Sequence, residues 1–308
     1  MKKRGQHYVW KTYLRPWSSN ELLFCLRDGN IFETNIGNVA KERDFYRLNE
    51  LNENDINMIK LLAIKDSPAQ LQMLNLGWIK TFTEPFEFRT MLRSRNIMNI
   101  EIETAIDEVI NNLEEDLHSL IEDRSIVYLD SILNKDITFY KTEKGNMDFS
   151  YYLCVQYMRT SKIKSNVIYS INTKNLNYDI EKIWNVLSHI YATNMGWSLY
   201  GGRHNYHMVL IVNKSPSSFI TGDQPVVNTF STIKTESDLE FYYPVSPNLA
   251  VLITEKQEYL GIEQLVVNNE DEIKRYNNYI VNNFKEQIYS HSRELLLKIK
   301  EGFSVEIK

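Results

Sequence analysis

The chain has 308 residues, with 35 lysines and arginines against 40 aspartates and glutamates, and its net charge of -5 excludes the broad cationic face of a non-specific DNA binder. A composition of 43% apolar and 24% charged residues belongs to an ordered protein and excludes a disordered or collagen-like one. Only Cys25 and Cys154 occur, with no CxxC and no Cys/His cluster, so neither a disulfide framework nor a structural zinc site is expected, and the reducing cytoplasm fits best.

MKKR is a basic start, but no apolar run follows it, so no secretion signal is expected. QHYVWKTYLRPW, residues 6–17, is rich in aromatic residues where a terminus is usually loose and polar, and some other part of the fold must hold it down. ELLFCLR, DGN and IFET predict a β-hairpin near 21–35, with Asp28-Gly29 supplying the positive φ angles of a tight turn. Capping residues in NEND and the spacing of Ile56, Ile59, Leu62 and Ile64 predict helices through much of 53–80, with a new start at Ser67-Pro68.

Ile102, Ile106, Val109, Ile110, Leu113, Leu117, Leu120 and Ile121 recur by threes and fours and predict one long amphipathic helix. The acids beside that stripe, Glu101, Glu103, Asp107, Glu108, Glu114, Glu115 and Asp116, read as its solvated face. Further helices are predicted over about 149–160, 179–194 and 269–300. HMVLIVN, SSFIT, FYYP and NLAVLIT are short, β-branched or aromatic, and bounded by turn residues, as strands are. The expected fold is α+β: mainly helical, with an antiparallel sheet formed by the N-terminal hairpin and strands within about 206–267. No repeat or linker breaks the chain, so one domain over 1–308 is expected. The longest apolar stretches, such as Met208 to Val212, are far too short to span a membrane.

GxxxxGK[ST], GxGxxG after a strand, HExxH and GxSxG are all absent, which removes the familiar nucleotide, zinc-protease and esterase signatures. Asp223 is followed by Glu236, Asp238 and Glu240, none with lysine two places on, so the two-carboxylate-plus-lysine pattern of many metal nucleases is not met. His204 and His207 stand at the entry to a strand, where their spacing does not favour a shared metal. His189 reads as a packed or partly exposed helix residue.

Three stretches carry more polar chemistry than their surroundings need. Gln6-His7 lies among aromatic residues. Gln156 and Arg159 are three apart on one helix face. In FITGDQPVV, Gly222 permits a sharp turn with Asp223 at its mouth, and Pro225 keeps Gln224 extended. An acid at a strand end is where a rigid scaffold presents a catalytic group; an Asx turn at Asp223 and an acid partner for Arg159 are the structural alternatives.

At these stretches the sequence resembles a bacterial domain-of-unknown-function family, DUF4238. Its members open with a QHYVPxxYLRxF-like segment and later carry a QxxRT helix and an FITSDxPV turn. Here those read Gln6-His7-Tyr8-Val9 with Tyr13-Leu14-Arg15 and Trp17, Gln156 with Arg159-Thr160, and Phe219 to Val226; VAKERDFY at 39–46 and FYYPVSPNLAVLIT at 241–254 extend the likeness. Trp10 replaces the usual proline and Gly222 the usual serine, which counts against a serine nucleophile at that turn. The resemblance implies a single family unit and loosely suggests a bacterial defence or toxin setting, such as antiphage defence. It implies no reaction.

Residue types give two expectations. One is a phosphodiester hydrolase, nuclease-like, with RNA or DNA as substrate: His7 as general acid or base, Asp223 orienting that imidazole or holding a divalent metal, Arg159 stabilising phosphate charge, and Gln6, Gln156 and Gln224 positioning substrate. The other is a non-catalytic binding or sensor module in which the same residues form a buried network. The two differ in whether His7 meets Asp223 and Arg159 in an open cleft.

Overall fold

Apolar spacing by threes and fours governs the middle of the chain. The computed structural model, which describes residues 1–173, 178–230 and 239–306, is helical there. The N-terminal third runs β1 (Gly5–His7), α1 (Lys11–Leu14), β2 (Leu22–Arg27), β3 (Asn30–Asn35) and β4 (Lys41–Arg43). β2 and β3 form the expected hairpin, and Asp28 and Gly29 take φ of 51° and 71° at its turn, the left-handed pair that matches strand twist.

Next come α2 (Glu53–Ala63), α3 (Ala69–Ser94), α4 (Ile100–Leu133), α5 (Glu143–Met158), α6 (Ser161–Asn172) and α7 (Ile180–Gly201). Asn52 and Asp55 close a reciprocal capping box on α2, so two otherwise unpaired backbone donors are satisfied where the sequence places its capping residues. The last third contains β5 (His207–Asn213), β6 (Thr221–Gly222), β7 (Val227–Asn228), β8 (Phe241–Ser246), β9 (Leu249–Thr254), β10 (Gln264–Val267), α8 (Glu270–Val281), β11 (Gln287–Ser290) and α9 (Arg293–Glu306).

The α+β class holds. The strands divide among a β1–β4 pair, a sheet ordered β10-β5-β9-β8-β7, and a sheet ordered β3-β2-β11-β6. Pairing is antiparallel except between β10 and β5. The helix expected over 269–300 is interrupted. α8 stops at its cap, Asn282, and the four buried residues of β11 pair with β2 on one side and β6 on the other. An all-buried run of four reads the same as strand or helix until its neighbours are known. Among the described residues, no helix is long and apolar enough to cross a membrane.

Two apolar clusters fill the interior. One gathers the N-terminal aromatics, much of α5 and the strands; the other gathers parts of α2, α3, α4 and α7. The opening segment is tied down from both sides. Tyr13 stacks on Tyr243 with ring centroids 5.0 Å apart and donates to the Pro244 carbonyl at 2.5 Å. The basic lead-in lies along α4, where Lys2 pairs with Asp107, Lys3 with Asp116 at 2.6 Å and the terminal amine with Glu108 at 2.8 Å. Such exposed pairs add little stability individually, but they fix where the segment runs. Trp10 has φ of -61°, the value proline would impose, so the backbone keeps a proline-like shape while the indole packs edge-on against Tyr152.

Candidate functional site

β1 pairs with β4, which places the Gln6 side chain inside the protein and leaves His7 half-buried. Gln6 uses both ends of its amide: Nε2 donates to the Asn111 carbonyl at 2.8 Å, and Oε1 accepts from the Tyr46 N–H at 2.6 Å. His7 Nε2 lies 3.3 Å from the Gly37 carbonyl. Burial holds the His7 imidazole below its ordinary value; the Gly37 contact opposes it, and the charges of Lys41, Arg159 and Lys11 add smaller pulls in the same direction as burial.

Arg159, at the C-terminal cap of α5, is only 4% exposed. Its Nε donates to the Tyr46 hydroxyl at 2.9 Å, one terminal nitrogen to Glu122, and the other to the His7 carbonyl at 2.5 Å. The guanidinium therefore joins α5, α4, β1 and the segment after β4. The acid partner is Glu122: burial pushes its carboxyl up, and Arg159 works against that rise. Gln156, three residues earlier on α5, is buried with its Nε2 lacking a hydrogen-bond partner. Gln224 accepts from the Thr160 hydroxyl and donates to the Val226 carbonyl at 2.7 Å.

Asp223 is also buried, but it serves another part of the fold. Its carboxylate accepts the backbone N–H groups of Lys285, Glu286 and Gln287 at 2.8, 2.6 and 2.9 Å. Burial pushes this carboxyl up although the three donors pull it down. Asp223 does accept backbone N–H groups, but not in the local Asx turn expected from the sequence: its partners lie more than sixty residues on, at the entry to β11. No described hydrogen bond or ion pair joins Asp223 to His7 or Arg159. Glu236 and Asp238 lie outside the described residues; Glu240 is engaged by Thr254 at 2.5 Å, Lys256 at 2.9 Å and Thr229.

At Gly222, a Cβ would sit 2.8 Å from the Gln287 carbonyl, so β6 approaches β11 more closely than a side chain permits. Gly222→Ser, which restores the family's usual residue, is expected to cost about 1–3 kcal/mol through overpacking. Urea denaturation measures this directly.

Another buried cluster lies where the sequence reads as a solvated helix face and a packed or partly exposed histidine. Glu114, read as part of a solvated face, is 2% exposed. Asp107, Glu108 and Asp116 of that face pair with the N-terminal segment, Glu115 keeps one carboxylate oxygen buried without a partner, and Glu114 turns inward. Its Oε1 lies 3.3 Å from His189 Nε2 on α7 and 3.6 Å from His118 Nε2, one turn along α4. Asn185 Nδ2 donates to its other oxygen at 2.6 Å. The His118 and His189 rings stack at 5.1 Å, between Tyr46 on one side and Trp78 and Phe82 on the other.

All four imidazole nitrogens are buried without a hydrogen-bond partner. Burial and then Arg159 push His118 down to about 3, outweighing its acid neighbour. Burial pushes the Glu114 carboxyl up, and the adjacent His118 and His189 pull it down below its ordinary value. The space bounded by His118, Val155, Met158, Arg159, Ser188, His189 and Ala192 admits no water molecule. Sequence signals for this cluster exist: a Glu/His pair four apart on one helix face, and a lone histidine in the otherwise apolar IWNVLSHIY. Neither shows that α4 and α7 meet there.

These features define an α+β protein whose polar centre is enclosed by helices. The family profile described as "Protein of unknown function (DUF4238)" matches residues 5–294, and the chain belongs to that family. No curated protein and no solved structure matches it.

Proposed function

We propose that the chain is a non-catalytic, cytoplasmic binding or sensor module in which Gln6, Gln156, Arg159, Asp223 and Gln224 are buried structural groups, Gln6 and Arg159 sharing one network through Tyr46 while Asp223 and Gln224 fix other segments. The observation that carries this reading is the Arg159 guanidinium: it is buried and its three nitrogens are committed to Tyr46, Glu122 and the His7 carbonyl. A group that stabilises phosphate charge needs free donors facing substrate. The Asp223 carboxylate is likewise occupied by three backbone donors. Incubation with labelled RNA and DNA, with magnesium, manganese or chelator, is the test. All substrates are expected to stay intact, and reproducible cleavage lost in His7→Ala would overturn the proposal.

One observation favours phosphodiester hydrolysis as a second reading, in the defence setting that the family resemblance suggests. The His7 ring is half-buried, its imidazole is held low, and Lys41, Arg159 and Lys11 lie near enough to act on it. A neutral imidazole beside cations suits a general base facing an anionic substrate. Because its folded value lies below 6.5, a reaction using it as base would retain activity as pH falls through 6.5 and lose it only below. A rate-against-pH profile with its acid limb at or above 6.5 would rule out His7 as that base.

A further inference from the structure

We propose that Glu114, His118 and His189 form a binding site for one divalent transition-metal ion, best matched to zinc, that clamps α4 to α7. The donor set is two imidazoles and one carboxylate, which suits zinc better than magnesium or calcium. Tetrahedral zinc with bonds of about 2.0–2.1 Å separates its ligand atoms by about 3.3–3.4 Å. The two contacts of Glu114 Oε1 with the His189 and His118 nitrogens are 3.3 and 3.6 Å, and all three donor atoms lie within 4.8 Å of one another.

Direction supports the same assignment. His189 Nε2 is close enough to the carboxylate oxygen for a hydrogen bond, yet none forms, so the ring's N–H axis is not aimed at that oxygen. Ligands around a shared ion have this relation: they touch along the edges of a polyhedron while their lone pairs point to its centre. A buried imidazole nitrogen without a partner is costly, and an ion would satisfy one on each ring. Asn185, holding the other oxygen of Glu114 at 2.6 Å, is the outer contact that orients a ligating carboxylate.

The charges facing the site come from several elements. α4 supplies Glu114, Glu115 and Glu122, and the cap of α5 supplies Arg159, already paired with Glu122. Glu114 and Glu115 remain, and Glu114 is the one whose oxygen lies against both imidazoles, so it is the carboxylate placed to compensate an ion. His118 and His189 border a space too small for a substrate, which makes the role structural or sensory. This assignment does not depend on the function proposed above: cleavage of nucleic acid would overturn that reading and leave the metal site standing.

The test uses the full chain, stripped with chelator and titrated with Zn²⁺, with bound metal counted after gel filtration and thermal unfolding followed in parallel. One equivalent is expected, with a rise in unfolding temperature and, on Co²⁺ substitution, a visible absorption band whose intensity reports the coordination number. Glu114→Gln keeps the side chain's shape, and His189→Gln keeps a polar group. Each is expected to weaken binding by more than about 100-fold, beyond the loss typical of an outer-shell partner. Far-UV circular dichroism identifies any variant that fails to fold, and the wild-type titration then decides alone. Absence of bound metal in the folded wild type, or equal binding by folded variants, would overturn the assignment.

Discussion

Replacing Arg159 with methionine is expected to lower the unfolding free energy by about 3–5 kcal/mol, the usual cost of removing one partner from a buried ion pair. The substitution leaves Glu122 buried without its cation and removes the donors to the Tyr46 hydroxyl and the His7 carbonyl. The loss therefore spreads beyond one salt bridge: β1, α4 and α5 all lose a shared contact. Replacing both partners, as Arg159→Met with Glu122→Leu, is expected to recover a large part of the loss, because a well-packed apolar pair often matches a buried ionic one. Equilibrium denaturation of the two single variants and the double variant measures both effects. A double variant no more stable than Arg159→Met would show that Tyr46 and His7, rather than Glu122, carry the cost.

Asp223→Ala is the second large expected effect, about 3 kcal/mol or more. It removes the acceptor for three backbone N–H groups, and each such donor left unsatisfied inside a protein costs about 1–3 kcal/mol. Asp223→Asn should cost less. One oxygen accepts from Glu286 and Gln287 and the other from Lys285, so an asparagine oriented to keep the first two contacts loses only the third. Amide hydrogen exchange should rise at residues 285–287 in the alanine variant and mainly at 285 in the asparagine variant. Uniform exchange across the protein would show that Asp223 supports the whole fold rather than the entry to β11.

Local physics was legible where it decides the structure. Asp28-Gly29 announces the hairpin because few other residues accept a left-handed turn, and Asn52 announces α2 because an asparagine side chain can replace a missing backbone acceptor. The 269–300 segment was misread because QIYS carries no periodicity of its own and is a strand only through pairing with β2 and β6. The candidate site divides in the same way. Gln6, His7, Gln156, Arg159, Asp223 and Gln224 stand out by residue type, but their hydrogen-bond partners lie on distant segments and type does not name them. Glu114 was hidden for the opposite reason: seven acids beside one apolar stripe look alike in sequence, and only the placement of α7 makes one of them a buried partner for two histidines.

The account turns on whether Arg159 is sealed, and arginine-selective labelling with phenylglyoxal, read residue by residue by mass spectrometry, tests that most directly. Arg159, at 4% exposure, should stay unmodified in the native protein while Arg43, whose side chain is 71% exposed, is labelled, and both should react once the chain is unfolded. Native labelling of Arg159 at the rate of Arg43 would contradict the sealed network and return Arg159 to an open cleft beside His7.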